Sequence, residues 1–387
     1  MVYLCFICVS SAAPAWAQHE HHDAEAPTSG WGWSADASVF LTANFQVRAF
    51  TDFYQVESQN WFMGAGTRRV GVGTVSLEGM LSLEPFTLRD LGSSQVFQTG
   101  ETYGGVPLID YQHPHDLLMK AAASYTRLVG GAQVTLTGAL VGDPALGPTP
   151  FMHRAAAAPN PTVPLAHHMT DSTHITPGVI TAGVLKRGLG LEASVFNGRE
   201  PDENRLDLDL DPLDSWSTRG SWSATSAAGA RIHAQASGAR VHEPSPIEPG
   251  NQTRLTASLE YSAAMVTTPL ALTLAWGQNH NTFGTENGWL AEAALGVSTR
   301  GTVYARGEIV DKHILHAGGE HPPGFYEPDI LSTVGSLTLG YTHRVATGGW
   351  GVVSLGGDAT GFHTPDNLFE SYGHPFSGHL YVHWAPR

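Results

Sequence analysis

The sequence predicts an all-β chain, a transmembrane antiparallel β-barrel of about 16 strands with short periplasmic turns and long extracellular loops. Three observations carry that reading. Charged residues make up only 14% of the chain, glycine is abundant at 44 residues, and no run of 18 consecutive apolar residues offers a spanning helix. Segments of about 10–13 residues alternate apolar with polar, long enough to cross a bilayer when tilted. Short Gly-containing or small-residue turns alternate without a break with longer, polar or Pro-rich connections.

The first 17 residues are expected to be a secretory signal peptide. Leu4 to Ala13 is an apolar and small-residue run, and Ala15-Trp16-Ala17 supplies a cleavage pattern. No Lys or Arg precedes the apolar core, which leaves room for an upstream start. Cys5 and Cys8, the two cysteines, both lie in this segment, so the mature chain is expected to use neither disulfides nor thiolate ligands. A His-rich tail, residues 18–33, follows with His19, His21, His22 and Asp23. Such tracts can hold divalent metal or simply be solvated. The barrel is expected to occupy 34–387.

From Trp31 the period becomes two. Val39, Leu41, Ala43, Phe45 and Val47 alternate with Phe40, Thr42, Asn44, Gln46 and Arg48. A loop is expected near Thr51–Glu57, a strand over about Gln59–Arg69, and a tight turn at Val70–Gly73. Six further short turns are expected near Val129–Gly131, Arg187–Gly188, Ala227–Gly229, Met265–Thr268, Thr299–Gly301 and Ala346–Gly349. Between them lie eight longer connections, near 50–57, 85–115, 142–173, 199–213, 242–251, 280–287, 313–329 and 361–376. Seven turns and eight loops separate sixteen strands and leave both termini on the periplasmic side. The tenth strand alternates most clearly, with Arg254, Thr256, Ser258 and Glu260 expected inward and Leu255, Ala257, Leu259 and Tyr261 outward. Trp216, Trp222, Trp276, Trp289 and Trp350 fall toward strand ends, as interfacial aromatic girdles require. The C-terminal strand ends on Trp384, but Ala385-Pro386-Arg387 follow it, whereas Gram-negative barrels usually finish on the aromatic residue.

The whole mature chain therefore resembles Gram-negative outer-membrane barrels, porins among them, at the level of pattern. The blocks Pro107-Leu108-Ile109-Asp110-Tyr111-Gln112-His113-Pro114-His115-Asp116-Leu117 and Asp171-Ser172-Thr173-His174-Ile175-Thr176 resemble those of an uncharacterised proteobacterial barrel group, some members of which accompany metal-resistance genes. That resemblance implies a location and no activity.

Two histidine clusters are the candidate chemistry. His113, His115 and Asp116 are expected at the top of the fourth strand, and His167, His168, Asp171 and His174 at the top of the sixth. One strand intervenes, so the two tops should lie roughly 10 Å apart. Neutral imidazoles and carboxylates suit Zn²⁺, Cu²⁺ or Ni²⁺. The blander reading is structural: Pro114 and Asp116 shaping a turn, and Asp171-Ser172-Thr173 an Asx-type turn. Other loops carry His153, His313, His316, His321, His363 and His374.

An inward, pore-lining set is expected from Arg48, Glu78, Glu84, Lys120, Glu192, Arg219, Arg231, Arg254, Glu260, Arg306 and Glu308. Charges of both signs suit a hydrated pore wall, the favoured reading; a salt-bridged plug is the alternative. The net charge of −15 argues against a nucleic-acid partner and, with Asp207, Asp209 and Asp211, for cations over anions. The sequence thus points to a porin-like channel for small hydrophilic solutes, divalent metal ions or their complexes among them, set in outer-membrane lipid, with a homotrimer as the candidate assembly. A metal-binding surface protein anchored by its barrel is the alternative. An outer-membrane hydrolase is the third reading. Ser172, His174 and Asp171 have the residue types for one, but they are adjacent and no G-x-S-x-G is present. A non-enzymatic protein with no organic cofactor is therefore expected.

Overall fold

A computed structural model describes residues 30–49, 51–89, 91–263, 268–315 and 330–387. The signal segment, most of the tail, the turn near 265–268 and most of the 313–329 connection, with His316 and His321, lie outside the described residues.

Every sequence-adjacent pair of wall strands runs antiparallel, and the first wall strand, β1 (Gly32–Val47), closes onto the last, β19 (Phe376–Ala385), through the ladder Val39–Val47 against Phe376–Trp384. Its other edge meets two segments in series. β2 (Asp52–Glu57) pairs with Thr42–Val47, and β3 (Asn60–Val70) with Gly32–Val39. They are one wall position interrupted at Ser58-Gln59, where Phe40 N–H still donates to Gln59 O at 2.9 Å. The wall continues through β4 (Gly73–Leu81), β7 (Leu118–Val129), β8 (Ala132–Gly142), β9 (Thr176–Lys186), β10 (Leu189–Phe196), β11 (Ser215–Thr225) and β12 (Arg231–Val241). It is completed by β13 (Gln252–Ala263), β14 (Leu270–His280), β15 (Thr285–Gly296), β16 (Gly301–Lys312), β17 (Ser332–Gly348) and β18 (Gly351–His363). Seventeen segments thus make sixteen wall positions.

Three details differ from expectation. The first outer connection is short, because 52–57 is strand and not loop. The last inner turn sits at Gly349-Trp350, since β17 runs on through Gly348. The second outer loop contains a hairpin of its own, β5 (Ser93–Tyr103) and β6 (Val106–Gln112), and a one-turn helix, α1 (Glu84–Thr87). The inner turns follow hairpin chemistry. At Arg187-Gly188 both residues take positive φ, 53° and 80°, which matches the twist of the flanking strands.

The barrel faces are sorted as the period-two pattern requires. Leu255 and Leu259 are exposed, while Arg254, Thr256 and Ser258 between them are buried. The same exposure recurs around the wall at Leu136, Ile180, Leu191, Leu274, Ile309, Leu339 and Leu380. A continuous apolar belt on the outside of a protein with a polar interior is unfavourable in water and suits hydrocarbon. Among the described residues no helix is long and apolar enough to cross a membrane; the strands do the crossing. Trp216 and Trp289 project outward near the extracellular strand ends, with the Trp276 and Trp289 rings 5.9 Å apart, and Trp33 and Trp350 near the periplasmic ends. These are the two girdles of an outer-membrane barrel.

The interior is occupied. The β5–β6 hairpin and the loop between β8 and β9 both turn into the barrel, and most of their residues are buried. The largest apolar cluster, including Phe97, Leu165, Met169, Leu290, Val310 and Tyr372, sits where these loops meet the inner wall of β15–β17 and helix α3 (Asp366–Tyr372).

Candidate functional site: the inward third loop and its histidines

The β8–β9 loop has the composition of a segment that cannot be a strand. It is rich in Pro and Ala, and its one Lys or Arg is Arg154. It follows the inner wall and is bonded at successive points. Ala145 N–H donates to Ser194 Oγ of β10 (2.7 Å), Gly147 N–H to Ser237 Oγ of β12 (2.9 Å), and Thr149 N–H to Glu260 of β13 (3.3 Å). Further on, Tyr381 of β19 donates to Pro159 O (2.8 Å) and Arg306 of β16 to Thr162 O (2.8 Å). Ala166 N–H reaches Glu308 of β16 (2.9 Å). Asn279 of β14 donates to His168 O (3.0 Å) and Arg254 of β13 to Ser172 Oγ (3.0 Å). Gly277 permits this approach, since a Cβ there would collide with Met169 O.

Arg154 is the centre of the loop and is fully buried. Its guanidinium donates to Glu292 of β15 (2.8 Å), to Asp171 (2.5 Å) and to Thr149 O (3.0 Å), and Arg306 also donates to Glu292 (3.0 Å). Neither Arg154 nor Glu292 stood out in the sequence reading. The signals were there: a single cation in an Ala/Pro loop, and a carboxylate at an inward position of β15.

The histidines of the two loops meet on the lumen side of the wall, near the outer ends of β13 and β14. His167 opens a one-turn helix, α2 (His167–Thr170), closed by Asp171 N–H donating to His167 O at 3.0 Å. Four-residue spacing brings His167 Nδ1 to Asp171 Oδ1 at 2.7 Å. A 3-10 turn, Ser172–Ile175, then places His174 Nδ1 2.7 Å from Asp171 O. From the other loop, His115 Nδ1 lies 2.8 Å from Glu84 Oε2, whose α1 sits above β4. The five rings form a closed circuit. Centroids are 5.2 Å apart for His167–His174, 5.3 Å for His167–His168 and 6.4 Å for His168–His113. His113–His115 at 6.5 Å and His115–His174 at 5.5 Å complete it. Phe151 packs against three of them, His115, His167 and His174.

The two carboxylates expected to join the histidines are each paired with an arginine. Asp171 accepts from Arg154, from His167 and from Phe151 N–H (2.8 Å). Burial works against its charge, but Arg154 and His167 hold it well below the usual carboxylate range. Asp116 faces Arg205 at 3.3 Å, and burial pushes its carboxyl up to about 6. Arg205 also pairs with Glu101, which meets His113 Nε2 at 2.8 Å. Burial, then the neighbouring His167 and His115, lower His174 to about 3. Burial lowers His168 and His167 as well, the latter against the pull of Asp171. His115 goes the other way: its burial is outweighed by Glu84, which raises it.

The expected inward charges divide by what they touch. Lys120 bridges Glu78 (2.8 Å) and Asp143 (2.9 Å), and Arg219 pairs with Glu192 (2.8 Å). Arg48 lies just past the end of β1 and pairs with Asp110 of β6. Glu84 is in α1 and not on a strand. Arg254, Glu260, Arg306 and Glu308 hold the third loop, as described. Glu192, Arg219, Arg231 and Glu260 line a cavity of about 720 Å³ below that loop, together with Asp143, His153, Asp171 and His174 from the loop itself. Asp207 and Asp209 gather with Asp202 in an exposed loop. Ser172 Oγ accepts from Arg254, and His174 turns its Nδ1 to a backbone oxygen, so these residues do not form a nucleophile–base pair.

No family model and no curated protein matches the sequence. Solved structures do. The anion-selective porin from Comamonas acidovorans superposes with a TM-score of 0.55 at 12% identity, over 92% of this chain and 100% of that one. Pseudomonas putida OprB gives 0.56 at 9% identity, over 92% and 94%. The trimer form of OmpT, an outer membrane protein of Vibrio cholerae, gives 0.51 at 8% identity, over 92% and 99%. At such identities the likeness is one of fold, and with the apolar belt and girdles it makes the chain a sixteen-stranded barrel of the outer membrane, built like the porins.

Proposed function

We propose that the protein is a porin-like channel passing small hydrophilic solutes, cations in preference to anions, with divalent metal ions or their complexes among them. The observation that carries this reading is the charged cavity below the third loop. Its wall combines Asp143, Asp171, Glu192 and Glu260 with Arg219 and Arg231. Opposed charges in a water-accessible lumen hold ions loosely enough to release them. The inward third loop narrows the passage and sets its size limit. The acidic majority of the wall and the net charge of −15 favour cations; the selectivity named for the Comamonas acidovorans barrel belongs to that protein. The trimeric form of a similar barrel supports a homotrimer here. Purified protein in a planar bilayer should give discrete conductance steps, with a salt-gradient reversal potential on the cation-selective side. A silent bilayer containing folded protein would refute the channel, and an anion-selective potential would refute the preference. Cross-linking in detergent should yield a three-chain species; a lone single-chain band would remove the trimer.

A second reading is favoured by the filled interior: a metal-binding protein whose barrel is a support for the two inward loops. Silence in the bilayer combined with metal uptake would select it.

A further inference from the structure

We propose that the outward face of β4, β7, β8, β9 and β10, together with the leucines of the loop above it, packs against a second copy of this chain. This surface rests on the homotrimer proposed above, whose subunits it joins. Three observations carry it.

The first is a gap in the aromatic girdles. Trp33 and Trp350 are exposed near the periplasmic strand ends, and Trp216, Trp222 and Trp289 are exposed on β11 and β15. The five consecutive wall positions from β4 to β10 carry no tryptophan. Trp61 of the neighbouring β3 turns inward against His153, with ring centroids 4.9 Å apart. The one phenylalanine of the five strands, Phe196, is buried, which leaves Tyr125 on β7. Interfacial aromatic rings sit at the level of the lipid headgroups. A face covered by protein meets no headgroups, so a girdle there has no use.

The second is the loop between β10 and β11. It leans over the ends of this face and is held from behind. Leu117 N–H, just before β7, donates to Arg205 O at 2.8 Å, and Glu203 accepts from Thr102 Oγ1 (2.8 Å) and Gly104 N–H (2.7 Å). Asp207 accepts from Asn204, and Asp209 from Asp202 N–H. Leu206, Leu208 and Leu210 alternate with these carboxylates and are exposed. An exposed apolar row beyond the strand ends marks a surface that another molecule covers.

The third is relief and area. A groove of about 630 Å³ runs along this face, with Ala121, Ala123 and Gly138 set between the larger Leu140, Ile180 and Leu213. Small residues let a partner's ridge approach closely in a membrane. Five wall positions at about 4.8 Å each, across an apolar band about 25 Å tall, offer roughly 600 Å² per chain. The loop leucines raise that toward the ~800 Å² per partner that a stable interface buries. In a cyclic trimer two neighbours share the face.

The test places a photo-reactive p-benzoylphenylalanine at Leu140, with Leu274 on β14 as control; both are 56% exposed. The full chain is irradiated in membranes and read by gel and mass spectrometry. Leu140 should give chain-to-chain adducts, and Leu274 lipid adducts only. In detergent, Gly138→Trp, where a side chain meets open space, should leave roughly tenfold more protein as single chains by overpacking the contact. Gly307→Trp on β16 should assemble as the parent does. Far-UV circular dichroism checks folding, and if Gly138→Trp does not fold, the photo-adducts decide. Lipid adducts alone from Leu140, or parental assembly of folded Gly138→Trp, overturns the surface; a three-chain species still seen by chemical cross-linking then leaves the trimer standing on another face. Chain-to-chain adducts that stop at two chains keep the surface and remove the trimer. Single chains under every cross-linker overturn both.

Discussion

If the third loop sets the width of the passage, the bond that holds it down is the place to widen it. Arg154 is that bond. Replacement by Met keeps much of the apolar stem and removes the guanidinium, together with its contacts to Glu292, Asp171 and Thr149 O. Glu292 retains Arg306 at 3.0 Å. Asp171 retains His167 and a backbone N–H, but loses its one full positive charge at close range. Removing one partner of a buried ion pair destabilises by about 3–5 kcal/mol, because the other charge stays buried without compensation. Glu292 is still compensated, so the lower end applies, about 3 kcal/mol. At about 1.4 kcal/mol per factor of ten, that raises the released population of the loop by roughly a hundredfold.

The barrel wall does not depend on this bond and should keep its strand content. The loop should respond. Hydrogen exchange across 143–175 should accelerate by about two orders of magnitude, while exchange in β13–β16 stays as in the parent. Single-channel conductance should rise, or larger uncharged solutes should permeate proteoliposomes. Adding Asp171→Asn to Arg154→Met should recover part of the lost protection, since the stranded charge is then gone. A variant with parental exchange and parental conductance would show that Arg154 does not hold the loop, and the constriction argument would fall with it.

Three further outcomes follow from other parts of the structure. Leu259→Arg, outward near the middle of β13, should destabilise the barrel in bilayers by about 2–4 kcal/mol, read as a shift of the urea unfolding midpoint; a neutral result would mean this face does not meet lipid. Gly100, at φ 144°, lies under the His168 ring, with no room for a Cβ, so Gly100→Ala should cost about 1–3 kcal/mol through overpacking, seen as faster proteolysis of the β5–β6 hairpin, and parental resistance would contradict the packing. Glu200 is pushed up to about 8 by burial, with Arg254 opposing and Glu101 and Glu248 adding; its neutral form is favoured in the fold, so its contribution is complete below the ordinary glutamate range near 4.5 and lost as pH rises through about 8. Proteolysis of the 197–214 loop should therefore quicken as pH rises from about 5 to about 8, and Glu200→Gln should flatten that dependence; an unaltered profile would assign it to another group.

The wall of this protein was legible because a barrel strand repeats one decision, inward or outward, every residue. Leu255 and Arg254 are enough to fix the facing of β13, and the Gly-containing turns fix where each strand reverses. Errors came where that periodicity stops. Residues 52–57 read as a polar loop because Asp52, Gln55 and Glu57 break the apolar run, yet backbone pairing to Thr42–Val47 makes them strand. The hairpin at 93–112 has strand-like residues but stands outside the wall, and no local signal says that a loop will turn into a lumen. The histidine clusters were placed at the right strand ends, and no local signal states that the two loops bring their rings into contact.

Depth also changes what the inward charges do. Alternation states that Arg254, Glu260, Arg306 and Glu308 face the lumen, and the same pattern would arise for an empty aqueous pore. A charge facing water needs no partner. A charge facing a loop packed against it does, and here each finds one in the loop's backbone or side chains: Ser172, Thr149, Thr162 and Ala166 in turn. The loop, being mostly Pro and Ala, brings almost no charge of its own and leaves many backbone groups for the wall to satisfy. An apolar-composition loop and a charged wall are therefore complementary halves of one device. The sequence holds both halves, but only their contact shows that the charges serve chiefly to seat the loop, Arg219 among them through Gly147 O at 3.3 Å, with Glu192 and Arg231 on the cavity wall below it.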